Sequence, residues 1–117
     1  MVQFERLDLS FSALSDATRR GVVEYLVVTD ASVGELAQRF DMTLTGMKKH
    51  IAVLERVGLV TTQKLGRVRK CRLGSRRLDE EAEWIERYRR MWEARFNALD
   101  AVVEDLMRKD KSDEQRD

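Results

Sequence analysis

The 117-residue chain has no proline, one cysteine, one histidine and six glycines. A lone Cys71 cannot close a disulfide within the chain, and together with the single His50 it cannot supply a four-ligand Cys/His zinc site. Nothing in this composition points to an oxidising compartment. Long apolar runs are also missing: the longest, Val22 to Val28, is interrupted by Glu24 and is far too short to span a bilayer. The opening residues MVQFERLDLS lack the basic start and apolar core of a signal peptide, so a cytoplasmic location with no membrane partner is expected. No Pro/Gly/Ser-rich stretch, repeat or low-complexity segment divides the chain. One domain is therefore expected over residues 1–110, with a disordered tail over 111–117.

What is present is ordinary globular material, 43% apolar and 37% charged, enough for one buried core. The net charge of +1 conceals an uneven distribution. Residues 1–41 carry net −3, residues 42–78 net +9 with Glu55 as their only carboxylate, and residues 79–117 net −5. A basic middle framed by acidic flanks is either a solvated loop or a face that meets a polyanion.

The local signals decide between these. Asp16 is placed to cap a helix whose apolar positions are Ala17, Val22, Val23, Tyr25, Leu26 and Val27 and which Thr29-Asp30 ends. Ser32 followed by Glu35 forms a capping box ahead of Leu36, Ala37 and Phe40. Asp41-Met42 reads as a tight connection, and Thr43 as the cap of a third helix with Met47, Ile51 and Leu54 on one face. Gly58 stops that helix in the position of a left-handed C-terminal cap. Two short helices joined by a brief turn make a helix-turn-helix over about 32–57. Residues 59–73 then alternate as two strands about Leu65-Gly66-Arg67, a hairpin. Its second strand is basic on both faces, which predicts a ribbon projecting from the body, a wing. From Ser75 to about Lys109 the sequence lacks Gly and Pro and repeats apolar residues at helical spacing, with surplus apolar surface that suggests a second copy of the chain. The predicted fold is mainly α with a small β-hairpin: a winged helix-turn-helix with a long C-terminal dimerisation helix at about 75–109.

Three blocks, Ala13-Leu14-Ser15-Asp16-Ala17-Thr18-Arg19-Arg20, Ser32-Val33-Gly34-Glu35-Leu36-Ala37, and Met47 through Val60, together resemble the ArsR family of bacterial winged-helix repressors. The aromatic stretch Ala82 to Tyr88 followed by Trp92-Glu93 is similar to the family's autorepressor branch. The resemblance implies a homodimer built from the first and last helices. That role falls to Phe4, Leu7 and Phe11 on the first helix and to Trp84, Ile85, Tyr88, Trp92, Phe96, Leu99 and Val103 on the last. It also implies double-stranded DNA as partner and repression through a palindromic operator, including that of its own promoter. The helix containing Val33 to Ala37 lacks the cysteines of metal-sensing relatives and the last helix has no histidine, so no metal or cofactor is expected. Any small-molecule inducer is left open.

Thr45 can hydrogen-bond a base edge or offer its methyl to thymine, and Gly46 permits close approach. Lys48 and Lys49 can reach guanine or phosphate. Leu44 either contacts thymine methyls or marks a lost base contact, and Thr43 is either cap or contact. His50, with no catalytic companion, reads as phosphate contact or packing; no enzyme is expected. Arg67, Arg69, Lys70 and Arg72 on the wing are expected to neutralise phosphates, with Arg67 entering the minor groove. Arg19 and Arg20 are expected at phosphate or in surface ion pairs. Cys71, between Lys70 and Arg72, is either a thiolate switch or inert packing. The competing reading of the whole is a protein-interaction module that uses the long helix.

Overall fold

The computed structural model describes residues 2–114, with side chains described for residues 5–111. The side chain of Phe4 and residues 115–117 of the expected tail lie outside the described residues. Where the sequence predicts one domain to residue 110, the chain divides into two compact units, Met1–Asp79 and Glu80–Asp117.

The first unit opens with α1 (Val2–Leu14) and α2 (Ala17–Val28). Asp16 caps α2 as expected, its carboxylate accepting from the Arg19 amide at 3.1 Å. That bond holds the Asp16 carboxyl below the usual carboxylate range. A two-residue strand, β1 (Ala31–Ser32), precedes α3 (Val33–Arg39), and α4 (Leu44–Arg56) follows. Ser32 and Thr43 cap these helices, each side-chain oxygen accepting at 3.0 Å from the amide three residues on, Glu35 and Gly46 respectively.

Both helices end in the same device. After α3 the Met42 amide reaches back to the Ala37 carbonyl and Asp41 to Gln38; after α4 the Leu59 amide reaches Leu54 and Gly58 reaches Glu55. These are paired Schellman closures, which require a left-handed residue in the turn. Gly58 (φ 81°) meets that requirement without strain, whereas Asp41 (φ 52°) meets it as one of the few side chains that tolerate the region.

Strands β2 (Val60–Leu65) and β3 (Val68–Leu73) form the hairpin, with Gly66 at φ 64° in its turn. Sheet order is β1-β3-β2, all antiparallel, so β3 is the central strand. This corrects the expectation of a freely projecting ribbon. β3 is anchored at its middle, where Cys71 sits between Ala31 and Thr62 and is fully buried. The two-residue β1 is too short to show alternation, and without it β3 looks like an edge strand.

The core of this unit gathers Val22 and Leu26 from α2, Leu36 from α3, Met47, Ile51 and Leu54 from α4, and Val60 and Cys71 from the sheet. Each large side chain so buried stabilises the fold by about 1.5–3 kcal/mol. Arg39 lies over the Tyr25 ring, 5.5 Å from its centroid, and adds a link between α3 and α2 at the core's rim. The sheet closes against the end of α4 by backbone contact. Gly74 donates its amide to the Leu59 carbonyl at 2.9 Å, and a Cβ at position 74 would stand 2.1 Å from the Gly58 carbonyl oxygen.

The described residues of the second unit form a single helix. α5 (Asp79–Glu114) is 36 residues long, about 54 Å at the α-helical rise. It begins four residues later than the sequence predicts, because Leu78 adopts a left-handed backbone (φ 61°) that no helix can include. It ends later too: Lys111–Glu114, expected as disordered tail, are helical. Trp84, Tyr88, Trp92 and Phe96 form a ladder along α5, with successive ring centroids 5.7, 6.5 and 5.7 Å apart. Ile85, Leu99, Val103 and Leu106 run beside it, and all eight are exposed. Among the described residues no helix is long and apolar enough to cross a membrane.

Candidate nucleic-acid interface

The amphipathic α4 turns Met47, Ile51 and Leu54 into the core, which forces Leu44, Thr45, Lys48, Lys49 and Ala52 outward. Beside this outer face stands the hairpin. Alternation along β2 places Lys64 on the same pleat face as Val60, and along β3 it places Arg69 on the same face as Cys71. Since Val60 and Cys71 point into the core, Lys64 and Arg69 continue the face that looks toward α4. They are register partners, and the pairing of Lys64 with Arg69 places both cations at one level of the wing.

Between helix and wing runs an open groove of about 430 Å³, lined by Ser32, Val33 and Gly34 at the start of α3, Leu44 and Lys48 on α4, and Lys64, Arg67, Val68 and Arg69 on the wing. A smaller hollow of about 240 Å³, lined by Val33, Lys48, Ile51, Ala52, Glu55 and Arg69, continues along α4. Four cations thus converge on the groove. Arg69 also donates to Thr62 Oγ1 at 3.0 Å, and Thr62 in turn donates to the Glu55 carboxylate at 3.2 Å. This chain steadies the Arg69 side chain while leaving it on the groove wall.

The expected site residues divide accordingly. Leu44, Lys48, Arg67 and Arg69 line the groove, and Thr45 and Lys49 stand exposed on the outer turn of α4. Lys64 belongs with them and was not singled out from the sequence. The signal that finds it is the hairpin register, which ties it to Arg69. Thr43 is engaged as the α4 cap. Gly46 has a packing reason to be small, since a Cβ there would meet Thr43 Oγ1 at 3.1 Å and Met42 at 3.4 Å.

Lys70 and Arg72 lie on the opposite pleat face from Arg69, and Arg72 pairs with Asp30 at 3.4 Å. Arg19 and Arg20 turn onto the protein. Arg20 donates to the Leu14 carbonyl at 2.8 Å. Arg19 donates to the carbonyls of Ala13 (2.6 Å) and Ser12 (3.1 Å) and reaches His50 Nδ1 at 3.2 Å. The ion pairs considered for them are replaced by caps on the α1 C-terminus, where helix carbonyls lack partners and the dipole favours cations.

Cys71 is packing. Burial pushes its thiol up to about 11, with Glu55 reinforcing the shift and Arg69 opposing it. The thiolate-favouring neighbours Lys70 and Arg72 are adjacent in sequence, but the pleat sends them to the other face.

A basic groove between an exposed helix start and a hairpin is the arrangement of a winged helix-turn-helix, a DNA-binding class. Residues 14–63 match a helix-turn-helix domain family. The chain is 40% identical to an ArsR family transcriptional regulator of known crystal structure, covering 76% of this chain and 92% of that one with a TM-score of 0.70. An ArsR-like transcriptional regulator from Rhodococcus sp. RHA1 is 30% identical, covering 87% and 96% of the two chains, also with a TM-score of 0.70. The transcriptional repressor SdpR of Bacillus subtilis is 24% identical over 75 residues, 64% of this chain and 83% of SdpR. The chain belongs to the ArsR family of transcriptional regulators.

Proposed function

We propose that the chain is a homodimeric repressor that grips a palindromic operator, one α4 and one wing per half-site, with half-sites about one duplex turn (~34 Å) apart. The observation that carries this reading is the convergence of Lys48, Lys64, Arg67 and Arg69 on one groove beside the exposed Leu44, Thr45 and Lys49. In this role Lys49 and the wing cations neutralise phosphates, which sets affinity, while Thr45 and Leu44 meet base edges, which sets sequence choice. Arg67, at the hairpin turn, enters the adjacent minor groove. The second copy packs on the apolar stripe of α5, whose large side chains from Trp84 to Leu106 are too numerous to remain in water.

Repression, the activity for which SdpR is named, follows from occupancy: a dimer seated on a promoter blocks access to it, the chain's own promoter included. The reading places the protein in the cytoplasm with the DNA and assigns it no catalysis. Selection of duplexes from a random pool by the purified chain tests it. The expected product is an inverted repeat with half-site centres 10–11 base pairs apart. A pool that remains random, or binding that needs a different protein on α5, favours an interaction module instead.

A further inference from the structure

The Arg19 side chain hydrogen-bonds to two other helices. Its Nε and Nη2 donate to Ala13 and Ser12 at the end of α1, and its Nη1 faces His50 Nδ1 on α4. A guanidinium has no acceptor, so Arg19 donates in this contact. The backbone from which Arg19 springs is fixed in turn, because its amide is held by Asp16.

The buried side chains that α2 and α4 bring to the core, Val22, Leu26, Met47 and Ile51 among them, are apolar. Such packing fixes how far apart helices lie more firmly than how each is turned about its axis, whereas a hydrogen bond is directional. Rotation matters here. Turning α4 by about 10° moves a side-chain tip ~6 Å from its axis by roughly 1 Å, enough to spoil a hydrogen bond to a base. His50 directly follows Lys49 and lies five residues after Thr45, so whatever holds its ring holds the outward face as well.

We infer that Arg19 is a positioning residue for DNA reading: its fork ties α4, through His50, to the C-terminus of α1, and so sets the rotation at which Thr45 and Lys49 are presented to the duplex. This rests on the DNA-binding reading above and replaces the phosphate contact expected of Arg19. Only arginine can fill the role, because its three nitrogens meet three acceptors in a fixed plane, whereas a lysine offers a single point of charge.

The test is fluorescence titration of the full chain with two labelled duplexes, one selected by the wild type from a random pool and one of scrambled sequence, at several salt concentrations, alongside thermal unfolding. Arg19→Lys keeps the charge and removes the fork. It is expected to lose roughly tenfold in affinity for the selected duplex while changing less than about twofold on the scrambled one, with the salt dependence unaltered. His50→Phe leaves the α1 bonds in place and removes the α4 end, so it supplies the same selective loss should the lysine variant unfold. In an Arg19→Gln/His50→Phe double variant the losses should not add.

Wild-type affinity in both folded single variants overturns the inference. So does an Arg19→Gln variant whose salt slope falls by about 0.9 while Arg19→Lys behaves as wild type, because that identifies a phosphate contact. If the wild type itself shows no salt-dependent binding to either duplex, the DNA-binding reading fails and this inference fails with it. Failure of the variants alone removes only the role of Arg19.

Discussion

Thr45 and Lys49 are one helical turn apart on the exposed side of α4, and the proposed function assigns them different roles. A threonine can distinguish bases; a lysine on the same face meets phosphate irrespective of sequence. Thr45→Ala should therefore alter preference at one base pair by ~1–3 kcal/mol, read by repeating the selection with the variant. Equal losses on selected and scrambled duplex would remove its base-reading role. Lys49→Glu should weaken both duplexes alike and reduce the salt slope.

Cys71 makes a prediction about pH. Its thiol ionises at 9.0 when unperturbed and at about 11 in the fold, so the folded state holds the proton more tightly than the unfolded chain. Stability is fully present below pH 9 and declines as pH rises toward 11. Cys71→Ala should lack that alkaline decline in denaturant melts, and mild oxidants should leave DNA binding of the wild type unchanged. The sequence showed the outward residues of α4 well, because helical periodicity fixes which side chains face away from Met47 and Ile51. It showed Cys71, Lys70, Arg72 and Arg19 poorly. Their surroundings depend on Ala31, Asp30 and the α1 carbonyls, partners that only tertiary folding brings near.

The elements of the first unit are set largely by local chemistry. Ser32, Thr43 and Gly58 announce the boundaries of α3 and α4 because caps need those residue types within a few positions, so they leave a trace in the chain. β1 leaves none, since two residues carry no period. The late start of α5 is similarly hidden, because no residue type marks the left-handed Leu78. The close approach of Gly74 to Gly58 joins the sheet to the end of α4. Gly74→Ala, which must displace backbone, is expected to destabilise the fold by about 2 kcal/mol or more. Gly66→Ala at the hairpin turn has open space around it and suffers only the left-handed penalty, about 1 kcal/mol. Urea titrations of the two variants check the order, and a larger loss at Gly66 would contradict it.

At the scale of the whole molecule, the two units divide the labour. The first carries the groove, and α5 carries an apolar stripe about 33 Å long from Trp84 to Leu106 at the helical rise. The length and surplus apolarity of α5 were legible in the sequence, since an uninterrupted helical run without Gly or Pro needs no tertiary information. Its substitution is the sharpest way to separate association from folding. Trp92→Glu with Phe96→Glu places two charges in the stripe, where pairing with another helix would bury them unpaired. The first unit, whose core does not include these residues, should remain folded.

Dimeric operator binding is tested most directly by sedimentation of the wild type and this double variant with a selected duplex. Two wild-type copies per duplex are expected, and a double variant that sediments as a single chain and binds the duplex far more weakly while keeping its helical circular dichroism. A wild-type chain that sediments alone and ignores DNA at low salt would overturn the dimeric DNA-binding reading.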